Sequence, residues 1–165
     1  GVDAGGGAQR HHPFYRRSAA VSTVIDVADA VVASLNAPGA PGFALPFTAV
    51  RKYVPAVELS DLADLNVTVV PKSAEIATAT RTSSYFDCTI DIGIQQKVNP
   101  DEPAELDALA DLAEQIVDHL RLSPLDALPE AAWLSIANEP VFAPEHLDQQ
   151  RVFTSVVSVT YRVRR

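Results

Sequence analysis

Acidic side chains dominate the residues whose spacing could do chemistry. Asp87 and Asp91 fall on one face of an alternating run from Phe86 to Lys97, and on an extended chain they stand about 13 Å apart. That is too far for the shared proton of a carboxylate dyad without outside help, so Asp87, Thr89 and Asp91 read as solvated positions on a wet strand. Asp107, Asp111, Glu114 and Asp118 share one face of a helical pattern with no Lys or Arg before Arg121. Such a face could hold divalent cations loosely, but it lacks an EF-hand-type loop. His11 and His12 are neighbours, whose side chains point opposite ways on an extended chain, and His119 and His146 are isolated. Cys88 is the single cysteine, set among isoleucines; it reads as a core residue and excludes an intrachain disulfide. Glycines cluster only near the start and in the 37–42 loop, so no phosphate-binding loop is present. Ser83, Ser84 and Ser155 lack the surroundings of a nucleophile elbow. No enzyme, metal or cofactor is expected.

The chain has 165 residues, and 47% of them are hydrophobic. That suffices for one domain with a sizeable core and excludes a largely disordered chain. No apolar run approaches the ~18 residues of a membrane span, so no membrane partner is expected. Thirteen basic against 21 acidic residues give a net charge of −8, a poor match for a protein that grips nucleic acid.

Residues 1–20 form a separate arm with Arg10, Arg16, Arg17 and one Asp, and no apolar segment of a signal peptide. The plain reading is a flexible arm. The sharper one is a partner-docking arm, because Phe14 and Tyr15 sit between Pro13 and Arg16-Arg17, two rings flanked by cations.

Residues 21–165 must then carry the fold. Ser22 caps a first helix over about 22–36, stopped by Asn36 and Pro38. Leu45 to Tyr53 is a first strand candidate, Val57 to Leu62 a short strand or helical turn, and Asn66 to Val70 a β-branched strand closed by Pro71. Residues 72–81 permit an extended arm. Phe86, Cys88, Ile90, Ile92 and Ile94 alternate with polar residues, which describes a strand buried on one face. Glu102 and Pro103 open a helix whose stripe runs from Leu106 to Leu120, before Pro124. Trp133 to Ala137 is a strand candidate, Pro144 to Asp148 a turn of helix, and Val152 to Val163 a second long one-sided strand. With no strand-helix repetition, the expected class is α+β: a largely antiparallel or mixed sheet packed on one face by two helices. Both long strands are expected to leave edges or faces in need of a use.

The element order and several segments resemble the tail terminator (tail completion) proteins of long-tailed bacteriophages and related gene transfer particles. The resemblance rests on Val57-Glu58-Leu59-Ser60-Asp61-Leu62 leading into Val67–Pro71, on Tyr85 to Val98, on Glu105-Leu106-Asp107-Ala108-Leu109 and on Phe153-Thr154-Ser155-Val156-Val157. It implies a virion protein, assembled in the host cytoplasm, whose hexameric ring caps the tail tube and makes the head-joining surface. Implied partners are further copies of itself, the tail tube protein and a head-tail connector or neck protein, with genomic DNA passing through ungripped. On that expectation the acidic helix face (Asp107, Asp111, Glu114, Asp118) or the wet strand face (Asp87, Asp91) lines the lumen or its rim. Arg51, Lys52, Lys72 and Arg81 would meet a neighbouring subunit's acids. The alternatives are another neck component or tube subunit, and a small cytoplasmic enzyme or ligand-binding domain.

Overall fold

The computed structural model describes residues 22–37, 42–54 and 59–165. Residues 1–21, which include Phe14, Tyr15, Arg16 and Arg17, lie outside the described residues, as do 38–41 and 55–58. The element order is α1 (Thr23–Leu35), β1 (Ala49–Arg51), a 3-10 turn (Leu59–Ala63), β2 (Asn66–Thr78), β3 (Ser84–Lys97), α2 (Pro103–Leu120), β4 (Ala132–Asn138), α3 (Pro144–Gln150) and β5 (Val152–Arg164). The strands form one mixed sheet in the order β1-β2-β3-β5-β4. Only β1 runs parallel to its neighbour; the other pairings are antiparallel. This is the α+β class expected, with α3 as a third, short helix.

Alternation decides which side of the sheet is dry. Cys88, Ile90, Ile92 and Ile94 of β3 and Val157, Val159 and Tyr161 of β5 are fully buried. The stripes of α1 (Val27, Ala28, Val31) and α2 (Leu109, Leu112, Ala113, Ile116, Leu120) join them in one core. Ser22 accepts from the Ile25 amide and caps α1. Glu102 stands at the N-cap of α2 but makes no side-chain cap bond, and Pro103 follows at the first helical position. α2 ends at Leu120, where Leu122 adopts φ 57°, ahead of Pro124.

Three local expectations are corrected. The first strand is only Ala49–Arg51, flanked by Phe43 and Phe47, which pack against the core from irregular backbone. Pro71 does not close β2, which continues to Thr78. Beyond Lys52 no strand of the described residues pairs with β2's outer side, so the missing N–H of Pro71 costs no ladder bond, and the register shifts between Pro71 and Ser73 absorb its ring. The two long strands are also not free: β3 lies between β2 and β5, and β5 between β3 and β4.

Among the described residues four buried side-chain polar atoms lack a partner, Thr68 Oγ1, Gln95 Oε1, Trp133 Nε1 and Tyr161 Oη, and the last two belong to residues that face each other across β4 and β5. Burial pushes the Tyr161 phenol up to about 12, so it stays neutral. A buried hydroxyl without a bond contributes a desolvation cost and no compensating interaction. Tyr161→Phe is therefore expected to stabilise the fold by about 1 kcal/mol, read from the urea midpoint at unchanged m. A destabilised variant would show that the hydroxyl is bonded.

Candidate functional site

The sheet's second face carries a polar network that local sequence does not announce. In-register pairing sets Glu75, Asp87 and Arg162 in one row across β2, β3 and β5, and Ser73, Thr89 and Thr160 in the next. Arg162 holds Asp87 through two bonds, Nε to Oδ1 at 2.8 Å and Nη2 to Oδ2 at 3.0 Å, and its guanidinium lies 4.6 Å from the Tyr85 ring centre. Thr89 and Thr160 hydroxyls meet at 2.9 Å. Asp91 accepts from Ser158 Oγ and faces Lys72 Nζ at 3.8 Å. Glu75 opposite Asp87 would be a repelling cross-strand pair without Arg162 beside it.

Asp87 and Asp91 are thus charge-paired. The Arg162 hydrogen bonds hold the Asp87 carboxyl below the usual carboxylate range, against the opposing effect of burial. A carboxyl depressed in the folded state contributes stability above its unfolded pKa and loses it as pH falls through the folded value. Asp87→Asn is therefore expected to cost about 1 kcal/mol near neutrality, a half-exposed bidentate pair being worth less than a buried one. The difference from the parent should vanish below the acid range of carboxylate titration. A pH series of urea midpoints reads it, and a gap that persists in acid would mean the pair contributes nothing.

The second acidic set lies on the other side of the molecule. Asp107, Asp111, Glu114 and Asp118 are all exposed on α2, spaced i, i+4, i+7, i+11, so they form one stripe about 16 Å long on the helix's outer side. Asp111 accepts from Gln115 Nε2 at 2.8 Å, and Asp118 has only exposed Arg121 at 3.7 Å. Neighbouring like charges at this spacing cost roughly 0.2–0.5 kcal/mol per pair, so the stripe is a net liability for folding. The two acidic faces differ in their pairing. On the wet strand face Asp87 and Asp91 are paired with Arg162 and Lys72, whereas among the described residues only Asp118 of the α2 stripe has a cation within reach, Arg121.

The four cations also separate. Arg51 Nε binds Asp29 on α1 at 2.6 Å, with its guanidinium 5.3 Å from the centre of the Tyr53 ring. Lys72 faces Asp91. Lys52 and Arg81 are exposed and form no ion pair among the described residues. Arg81 sits at the turn of the β2–β3 hairpin.

No group of three metal-ligating side chains occurs among the described residues. His119 Nε2 lies 3.0 Å from the Ser34 carbonyl and 3.1 Å from its hydroxyl, tying α2 to α1, and its ring meets Phe43 edge-on. His146 Nδ1 lies 2.9 Å from Thr154 Oγ1 and seats α3 on β5. Cys88 is fully buried, and burial with the neighbouring Asp87 charge pushes its thiol up to about 11. In the folded protein it should react with a thiol reagent only at the rate of unfolding; fast, stoichiometric labelling would place it at the surface.

Two features of the surface needed the tertiary structure. Glu75, Ser158, Thr160 and Arg162 join the polar face only through pairing between distant strands. An open groove of about 330 Å³ between the end of β3 and α3 is lined by apolar Pro100, Phe142, Pro144 and Leu147 and charged Asp101, Asp148 and Arg151. No helix of the described residues is long and apolar enough to cross a membrane. No protein-family model matches the chain, and comparison with curated proteins finds no match.

Proposed function

We propose that this chain is the subunit of a closed homo-oligomeric ring that caps a phage tail tube and makes the surface joining it to the head. DNA passes through the lumen without being gripped. The observation that carries the reading is the pair of open sheet edges. Among the described residues, Val70–Thr78 of β2 pairs with β3 alone, and β4 has only β5 beside it. Through the registers, both edges stand at the height of Asp87–Asp91 on β3. β2 and β4 also run in opposite directions. A copy placed beside β4 in the same orientation therefore offers its β2 antiparallel and level, so the sheet can continue from copy to copy. Such a heterologous contact closes into a ring when the rotation per copy divides a full turn.

The α2 stripe supports the lumen. Its carboxylates, of which only Asp118 faces a cation among the described residues, repel phosphate over a Debye length of about 8 Å, which suits a pore through which DNA slides. The tail tube and the head connector would bind the two rims. Lys72, 57% exposed beside its own Asp91, and Arg81, at the hairpin turn, are assigned to a neighbour's acids. Reversing both to Glu is expected to lower the native mass at low salt, and unchanged assembly would overturn that assignment.

The test is the native mass of the full chain at micromolar concentration, with negative-stain images. A closed species near six times 17.7 kDa with a central hole is expected. Long stacks would instead favour a tube subunit. A monomer that also fails to bind isolated tail tubes would overturn the reading and restore the small-domain alternative.

A further inference from the structure

The two edges that no described strand covers match residue for residue. Followed across the sheet, Val70, Pro71, Ala74 and Glu75 of β2 lie at the levels of Ala137, Ile136, Trp133 and Ala132 of β4. Each edge also carries one residue that its inner neighbour does not match, Lys72 on β2 and Leu134 on β4. Bulges of this kind ordinarily discourage edge pairing. Here the two fall within one level of each other, so 70–75 and 132–137 span the same levels with the same number of residues. The irregularities cancel when the edges meet.

Their outward hydrogen-bonding groups are in phase as well. Ser84 and Arg165 exchange N–H···O bonds, so even-numbered residues of β3 turn their backbone polar groups to β5, and the β2 residues opposite them turn theirs outward. Val69, opposite Ile92, does so: its carbonyl accepts from the Lys52 amide. Pro71 and Ala74 follow, opposite Ile90 and Cys88. On the far side Val156 accepts from the Glu139 amide and donates to the Pro140 carbonyl, so even-numbered residues of β5 face β4. Trp133 and Ile136, opposite Tyr161 and Val159, therefore turn outward at the levels of Ala74 and Pro71.

Charge is complementary at one of these levels. Glu75 is exposed and has no cation partner among the described residues. Arg162, in the same row, uses Nε and Nη2 on Asp87, and its Nη1 makes no hydrogen bond among the described residues. Ala132, beside Arg162 at the edge, is exposed and offers only a methyl group. We propose that β4 of one copy pairs antiparallel with β2 of the next, Ala132 opposite Glu75, so that the Glu75 carboxylate meets Arg162 across that methyl. Resting on the self-association proposed above, this contact adds its register and its charged pair. Trp133 and Ala74 exchange two bonds, and Ile136 and Pro71 make one, because Pro71 donates none. A bonded and a non-bonded pair in succession set the Arg162 and Glu75 Cα atoms about 10 Å apart, within reach of two long side chains.

The experiment uses full-length chains carrying Glu75→Cys with Ala132→Cys, mildly oxidised; Cys88 is buried and does not compete. Within one chain the two positions stand three strand spacings apart, about 14 Å, beyond the ~7 Å that a disulfide bridges, so every link joins two copies. The control is Glu75→Cys with Ala137→Cys: Ala137 is exposed on the same strand, about 13 Å further along it. At least about fivefold more linked product is expected with Ala132 than with Ala137, because the register raises one local concentration and not the other. Equal yields from chains that close a ring would overturn this contact alone, and equal yields from monomeric chains would overturn the ring with it. Preferential linking in chains that form open filaments supports the contact and overturns the closed ring. In otherwise unaltered chains, Glu75→Lys should weaken association about tenfold at low salt, and adding Ala132→Glu, which restores an opposite charge to the pair, should recover most of it. Unchanged association of Glu75→Lys, or no recovery in the double variant, would overturn the charged pair.

Discussion

Ile92→Ala is expected to remove about 3–4 kcal/mol of stability, the largest single-residue loss we anticipate. Ile92 is fully buried in the central strand and lies in register with Val69 on β2 and Val157 on β5, both also fully buried. Truncation therefore opens a cavity at the middle of the sheet's dry face, under the helices, where neighbours on three strands cannot collapse without breaking ladder bonds. Domains of this size have only about 5–15 kcal/mol in total, so the urea midpoint should fall by roughly 2 M with m unchanged. The matched control is Ile76→Ala on exposed β2. Ile76 is 62% accessible, and its truncation should cost less than about 0.5 kcal/mol. If both variants lose the same stability, burial does not decide the energetics of these isoleucines and the core is misassigned.

The second large effect concerns the α2 stripe. Replacing Asp107, Asp111, Glu114 and Asp118 by Lys moves the chain from a net charge of −8 by +8, to zero. The like-charge spacing along the helix is retained, so its effect on folding should be small. The field at the proposed lumen, however, changes sign. The parent should not retain duplex DNA at any salt, whereas the variant should bind it and lose about 10²-fold in affinity between 50 and 200 mM salt, as four phosphate contacts require. Gel retardation or anisotropy reads this. The decisive comparison places four lysines elsewhere, at Asp64, Asp126, Glu130 and Glu145, which gives the same net charge. If that scattered variant binds DNA as tightly as the stripe variant, net charge alone explains the retention and the stripe is not the DNA-facing surface.

The two acidic sets show how the same residue type takes different roles. Asp87 and Asp91 looked as available as the helix acids, because each sits on the wet side of an alternating strand. Their partners are Arg162, 75 residues away, Ser158, 67 residues away, and Lys72 across the bulge. Such pairings depend on which strands become neighbours, and no local pattern carries that information. The α2 stripe needed no distant partner to be recognised, since four acids at helical spacing lie on one side whatever the fold does.

The sequence by itself determined the elements whose periodicity is strong: α1 behind its Ser22 cap, α2 with its apolar and acidic sides, and the two long strands with one dry face each. Alternation and helical spacing are local properties, imposed by backbone geometry before any tertiary contact forms. Tertiary structure alone decided the order β1-β2-β3-β5-β4, the continuation of β2 through Pro71, the pairing of Asp87 and Asp91, and the two edges at one height that no described strand covers. Each of these depends on hydrogen bonds or contacts between segments far apart in the chain. A proline within a strand is tolerated or excluded according to whether another strand needs its missing donor, and at Pro71 none does.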